Sequence, residues 1–251
     1  MTDLGLAGKR VIVTGAAGGL GRAFALAFAK AGAKVLVGDV SDVSETLGLI
    51  AATGGEGFGA VLDVTSADSC KALADKAQSV MGGLDVLVNN AALYGALQRA
   101  NFDEIDEGVW DRVMAVNVKG VWQASRFCAP LMKAAGAGSI INIASATVFS
   151  GSPQWMHYVA SKGAVIAMSR TMAKELGGDD IRVNVLAPGF TMTEASLGLI
   201  DNARSYGMDR AAIKRPIETG DIVGGALYLA SPLSAFMTGQ TLIIDGGRQF
   251  I

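Results

Sequence analysis

Short apolar runs rich in Val and Ile alternate along the chain with longer stretches of helical periodicity. Val11-Ile12-Val13 precedes a helix expected from about Leu20 to Ala31. Lys34 to Val37 reads as a strand, followed by a helix over roughly Val43 to Ala52. Gly59 to Leu62 is the third strand, with a helix near Ala67 to Met81 after it. Asp85 to Val88 is the fourth and leads into a longer helical region. Ser139 to Ala144 is the fifth, followed by a helix from about Tyr158 to Leu176; Ile181 to Leu186 and Thr241 to Ile244 complete the set. Continuous apolar strands separated by helices indicate a parallel sheet buried on both faces. Strands in βαβ order predict a doubly wound, seven-stranded α/β sheet forming a single domain over residues 1–251. The stretch from Thr193 to Pro216 breaks the rhythm and carries Glu194, Asp201, Arg204, Asp209 and Arg210 among apolar residues. An excursion beyond the carboxyl end of a strand reads as a lid over a ligand site.

Composition narrows the classes. Half of the 251 residues are hydrophobic and 18% are charged, so a large core is expected and disorder is not. The net charge of −2 comes with no basic stripe, which argues against a nucleic-acid partner. Cys70 and Cys128 are far apart, and a single His argues against a zinc site; no metal is expected. Two buried free thiols suit a reducing compartment, and the first residues lack a signal-peptide pattern, so a cytoplasmic location is expected. The uncharged stretch from Ala134 to Ser161 is interrupted by Ser139, Asn142, Ser145, Ser150, Ser152, Pro153 and Gln154, which reads as a buried strand and loop rather than a membrane span.

The candidate chemistry starts where the first strand ends, at Thr14-Gly15-Ala16-Ala17-Gly18-Gly19-Leu20-Gly21. Glycines there let a pyrophosphate approach the backbone, and the following helix offers free N–H groups and positive dipole charge. Asp39 ends the second strand, 18 residues after Gly21, where a carboxylate can accept both ribose hydroxyls of an adenosine. Asp39 is followed by Val40, Ser41 and Asp42, and no neighbouring residue in the sequence is basic, so NAD rather than NADP is expected. Tyr158 and Lys162 stand at i and i+4 on one helix face, where a cation would favour phenolate. Ser145 ends the fifth strand and could hold a substrate oxygen beside the phenol.

With these motifs in this order the chain resembles the short-chain dehydrogenase/reductase family, over its whole length. The family's Gly-rich turn matches Thr14 to Gly21; its adenine-side Asp-Val matches Asp63-Val64; its Asn-Asn-Ala-Gly appears as Asn89-Asn90-Ala91-Ala92. Its active-site Asn falls at Asn117, its Ser, Tyr and Lys at Ser145, Tyr158 and Lys162, and its Pro-Gly turn at Pro188-Gly189. The segment Thr238-Gly239-Gln240 to Asp245-Gly246-Gly247 is also typical. Ala92 replaces the usual Gly, and Thr191 stands where the family often has Val or Ile. The resemblance implies a Rossmann-type fold binding NAD through Gly15, Gly18, Gly19, Leu20, Gly21, Asp39, Val40, Asp63, Val64, Asn90, Ala91, Pro188, Gly189, Thr191 and Thr193, together with Tyr158 and Lys162. It implies Tyr158 as acid/base, Ser145 bonding the alcohol oxygen, Lys162 lowering the Tyr158 pKa and binding the ribose, and Asn117 holding a water that links Lys162 to solvent.

The loops expected around the nicotinamide carry Leu93, Tyr94, Ala146, Val148, Phe149, Trp155, Met156, Met192 and Leu197. Tyr94, Val148, Trp155 and Met192 are the expected substrate contacts, and their apolar character suggests an aromatic or alicyclic secondary alcohol rather than a sugar or a carboxylate. His157 precedes Tyr158 and is expected to point elsewhere. The family's usual assembly implies a homotetramer or homodimer, with Trp110, Val113, Val121, Trp122 and Phe127 on the two helices that pair. The rival readings are an NADP-dependent carbonyl or 3-oxoacyl-thioester reductase, opposed by Asp39, and a dinucleotide-sensing protein without turnover, opposed by the intact Asn117, Ser145, Tyr158 and Lys162 set.

Overall fold

The computed structural model describes residues 4–250. Its strands are β1 (Arg10–Thr14), β2 (Lys34–Asp39), β3 (Glu56–Val61), β4 (Val86–Asn89), β5 (Gly138–Ile143), β6 (Ile181–Pro188), β7 (Thr191–Met192), β8 (Ile217–Glu218) and β9 (Thr241–Ile244). Between them run α1 (Gly19–Lys30), α2 (Ser44–Ala52), α3 (Ala67–Met81), α4 (Glu107–Met114), α5 (Gly120–Ala135), α6 (Thr147–Ser150), α7 (Met156–Leu176), α8 (Glu194–Leu197) and α9 (Thr219–Ala230). Seven strands form one parallel sheet in the order β3-β2-β1-β4-β5-β6-β9. The order reverses between β1 and β4, and a crevice opens there beyond the strands' carboxyl ends.

Strand alternation builds the two core layers. Val11, Val13, Val35 and Val37 face Phe24 and Phe28 of α1 and Leu229 of α9. Ile12, Leu36, Leu87 and Ile140 face the other way, onto Leu73 of α3 and Cys128 and Met132 of α5. Both faces are covered, which is why the strands carry no polar alternation.

Several boundaries differ from the sequence reading. β3 begins at Glu56, three residues early, because its glycines serve packing: a Cβ at Gly59 would stand 2.9 Å from Val43 Cγ2. β4 starts at Val86; Asp85 instead binds Arg10 through the guanidinium Nε at 2.8 Å. The long helical region after β4 divides into α4, a five-residue π-helical turn (Ala115–Lys119) and α5. Helix α9 was not anticipated: its apolar and glycine residues show little periodicity, and its start is marked by a capping box between Glu218 and Asp221. The short pair β7–β8 was not anticipated either; it brings together the two ends of residues 193–216. No helix among the described residues is long and apolar enough to cross a membrane.

Candidate active site

The turn after β1 is shaped by close backbone approaches. Gly15 has φ +66°, and a Cβ there would lie 2.7 Å from Ala91 Cα. A Cβ at Gly21 would collide with the Gly15 carbonyl. Thr14 Oγ1 accepts the N–H groups of Asn90 and Ala91, both at 3.0 Å, and the Asn90 amide donates to the Thr14 and Gly15 carbonyls at 3.0 and 2.9 Å. These bonds lock the ends of β1 and β4 together at the switch point. A backbone cradle without side chains, at the N-terminus of α1, fits a dinucleotide pyrophosphate.

Asp39 closes the other side of the turn. Its two carboxylate oxygens accept the Ala17 and Ser41 N–H groups, each at 2.9 Å. Each oxygen keeps a further lone pair, so two ribose hydroxyls can still be received. One expectation is corrected here: a cation does stand near this turn. Arg22 donates to the Ala17 carbonyl and to Thr46 Oγ1, and both of its terminal nitrogens bind Glu45, at 2.8 and 2.7 Å. Glu45 lies 23 residues on, so only the fold brings the pair together.

Helix α7 carries the titratable cluster. Tyr158 and Lys162 are 7% and 2% exposed, and Ser145 at the end of β5 is 9% exposed. The Lys162 ammonium donates to the Ile143 carbonyl at 2.8 Å and stands 5.7 Å from the Tyr158 ring centre. Burial pushes the Tyr158 phenol up, Tyr94 pushes it further, and a hydrogen bond with Ser145 pulls it down. Burial lowers Lys162 to about 8. A cation lowering the phenol was the expectation; burial is instead the largest influence on both groups. Ser145 Oγ also accepts from the Thr147 hydroxyl at 3.0 Å.

Asn117 sits in the π-helical turn, fully buried and outside the cleft wall. Its carbonyl oxygen accepts the Leu93 N–H at 2.7 Å, and its amide donates to the Leu93 carbonyl and Ser161 Oγ. The side chain therefore braces the loop after β4 against α7.

One cleft of about 580 Å³ joins these parts. Ser145, Tyr158 and Lys162 line it together with Gly15, Gly18, Gly19, Leu20, Gly21, Asp39, Val40, Asp63, Val64, Asn90, Ala91, Pro188, Gly189, Thr191 and Thr193. Of the four expected substrate contacts, Tyr94 and Trp155 line it and pack around Tyr158, with ring centres 5.3 and 5.7 Å from it. Val148 and Met192 do not. On the single turn of α6, Thr147 and Ser150 face the cleft while Val148 and Phe149 pack against the layer of Val121, Ala144 and Val165. Along β7, Thr191 and Thr193 face the cleft and the alternation turns Met192 into a separate small cavity beside Ala203 and Met208. Met156 and Leu197 are exposed and also outside it. His157 is 1% exposed, stacks on Trp155 with centres 6.4 Å apart, and its Nδ1 has no partner among the described residues. Sequence reasoning missed Arg99, Leu199, Ile200, Tyr206 and Arg248, which also line the cleft. They lie in irregular segments without periodicity; only Arg248, directly after Gly246-Gly247, had a signal nearby.

A nucleotide-type crevice at the switch of a parallel sheet, with a buried Ser, Tyr and Lys on its floor, defines a dinucleotide-dependent oxidoreductase class. The comparisons agree. A family model described as enoyl-(acyl carrier protein) reductase matches residues 15–249, and the chain belongs to the short-chain dehydrogenase/reductase family. It is 40% identical over 248 residues to the 3-oxoacyl-[acyl-carrier-protein] reductase FabG of Thermotoga maritima, covering 96% of this chain and 98% of that one. A short-chain type dehydrogenase/reductase from Mycobacterium marinum superposes with a TM-score of 0.91 at 32% identity, covering 99% of this chain and 98% of the other. A structure from Agrobacterium tumefaciens with bound NADP gives a TM-score of 0.89 at 32% identity, covering 99% of each chain.

Proposed function

We propose that this oxidoreductase moves a hydride between NAD(H) and a secondary alcohol or ketone with a hydrophobic, aromatic or alicyclic body. The observation that carries the reading is the single cleft shared by the Gly-rich turn, Asp39 and the Ser145–Tyr158–Lys162 cluster. When bound, the nicotinamide supplies the hydride-accepting carbon. Tyr158 takes the alcohol proton at its phenol oxygen, Ser145 holds the same substrate oxygen, and Lys162 holds a ribose hydroxyl. Thr147 steadies Ser145 through its hydroxyl. Asn117 keeps the loop after β4 against α7. Residues 193–216, pinned at both ends by β7 and β8, act as a lid that excludes water. Asp39 and the paired state of Arg22 favour NAD, since a 2′-phosphate would meet a carboxylate and, among the described residues lining that end, no free cation. The buried free thiols Cys70 and Cys128 suit the cytoplasm.

A second reading, an NADPH-dependent 3-oxoacyl-thioester reductase, is favoured by the FabG similarity and the NADP-bound neighbour. The deciding experiment is a panel of secondary alcohols followed by NADH and NADPH formation, with Tyr158→Phe as control. Tyr158→Phe should lose about 10²–10⁴-fold in kcat while still binding NADH by fluorescence titration. Comparable kcat in the variant would remove Tyr158 from the mechanism.

A further inference from the structure

Arg99 and Arg248 enter the cleft wall from two segments far apart in sequence, the loop after β4 and the C-terminal segment. Neither guanidinium has a carboxylate partner among the described residues. Arg10, Arg22 and Arg215 show the contrast: each closes on Asp85, Glu45 or Asp221 within 2.8 Å. Aromatic rings hold the two cleft arginines instead. Arg99 lies 6.0 Å from the centre of the Trp155 ring, which packs edge-on against Tyr158 at 5.7 Å. Arg248 lies 5.2 Å from the centre of the Tyr206 ring, which itself packs on Phe190 at 4.9 Å. A guanidinium on a ring keeps its planar fork of N–H donors free for a carboxylate.

Position separates this charge from the cofactor's. The acids of the cleft are Asp39, Asp63 and Glu194. The first two belong to the adenosine end. Glu194 follows Thr193, whose side chain approaches the Gly-rich turn at Gly19. The holder of Arg99, by contrast, touches Tyr158. Arg99 reaches the acid/base residue through Trp155, and Arg248 enters the same cleft beside Tyr206; two cleft cations without a carboxylate partner among the described residues form a field that concentrates anionic substrates.

We propose that the substrate is a hydroxy acid, and the product its keto acid, with Arg99 and Arg248 binding a carboxylate while Ser145 and Tyr158 hold the hydroxyl. This rests on the hydride-transfer reading above. It replaces the expectation of a substrate without a carboxylate, and keeps the apolar body, which Leu93, Tyr94 and Leu199 enclose. The hydride leaves the carbinol carbon for the nicotinamide, the hydroxyl proton goes to Tyr158, and the carboxylate is unchanged.

The test compares mandelate, 3-hydroxy-3-phenylpropanoate and 4-hydroxy-4-phenylbutanoate with their methyl esters, using NAD as acceptor. At least one acid should exceed its ester at least ~10-fold in kcat/KM, a difference of about 1.4 kcal/mol. Arg99→Gln and Arg248→Gln should each shrink that ratio several-fold, through KM more than kcat, with Arg99→Lys keeping part of it. Esters that match or beat their acids throughout, or ratios unmoved in both glutamine variants, overturn the proposal. Calorimetric titration of 3-phenylpropanoate and 3-phenylpropanamide into the NAD-loaded protein separates the two readings. Preferential binding of the acid without oxidation of any alcohol upholds the anion subsite and rejects hydride transfer to NAD. Equal binding of acid and amide, with neutral alcohols oxidised, does the reverse.

Discussion

At the scale of single residues, burial is the dominant influence on the reactive groups. Lys162 is lowered from an ordinary lysine value to about 8, so the folded protein releases its proton between about 8 and 10.5 while the unfolded chain keeps it. The unfolded state then binds more protons, and this group's contribution to stability rises with pH across that window. Below it, holding the buried charge costs on the order of 3 kcal/mol. Lys162→Met should therefore gain stability relative to wild type at pH 7, and the gain should shrink toward pH 10 in denaturant titrations. A difference independent of pH would show that Lys162 is not a buried cation. The raised Tyr158 phenol implies alcohol oxidation that climbs through the alkaline range, because the base form is populated late. Under the NAD reading proposed above, Asp39 selects the cofactor. Its hydrogen bonds to ribose hydroxyls are each worth about 1.5–3 kcal/mol, so NAD should exceed NADP at least tenfold in kcat/KM, about 1.4 kcal/mol. Asp39→Ala should shrink that preference, mostly by weakening NAD; equal efficiency in the wild type would leave Asp39 as a turn residue alone.

Elements differ in how openly their sequences announce them. The strands with β-branched runs, such as Val11 to Val13, were legible because burial on both faces demands apolar side chains at every position. Helix α3 matched its expected span because Ser66 caps it and Gly82 ends it in the left-handed region. Helix α9 was hidden because three glycines and an apolar surround left no polar stripe. Residues 193–216 break all periodicity, and what defines them is the pairing of β7 with β8 at their two ends. Arg204, Arg210 and Lys214 are exposed within that segment. Limited trypsin treatment should cut there first, and NAD with a bound substrate should slow cleavage several-fold. Cleavage unaffected by saturating ligand would mean that the segment does not close.

For the whole molecule, the fold sorts residues that the sequence could only group. Of the five candidates for subunit contact, Val113 and Val121 are buried within the chain's own core. Trp122 remains 45% exposed on α5, with the Arg126 guanidinium 5.3 Å from its ring centre. An exposed Trp with a stacked Arg is the composition of an interface anchor. A homodimer or homotetramer should therefore appear in light scattering as a multiple of 25.7 kDa. Trp122→Glu should shift the distribution toward smaller species without lowering helix content; a monomer in the wild type would end this reading.

The sequence by itself determined the parallel sheet, the Gly-rich turn, Asp39 and the Tyr158–Lys162 pair, because each depends on local spacing: strand alternation, a turn between strand and helix, one helical turn of i to i+4. Tertiary structure alone decided which side chains face the cleft. Val148 and Met192 lost their expected places to one residue's rotation on a short helix and one step of strand alternation. Arg22 meets Glu45, and Arg99 and Arg248 enter one cleft, because the fold joins segments that no spacing rule connects. Sequence patterns record which face of an element is buried; what stands opposite that face is set by how the chain returns upon itself.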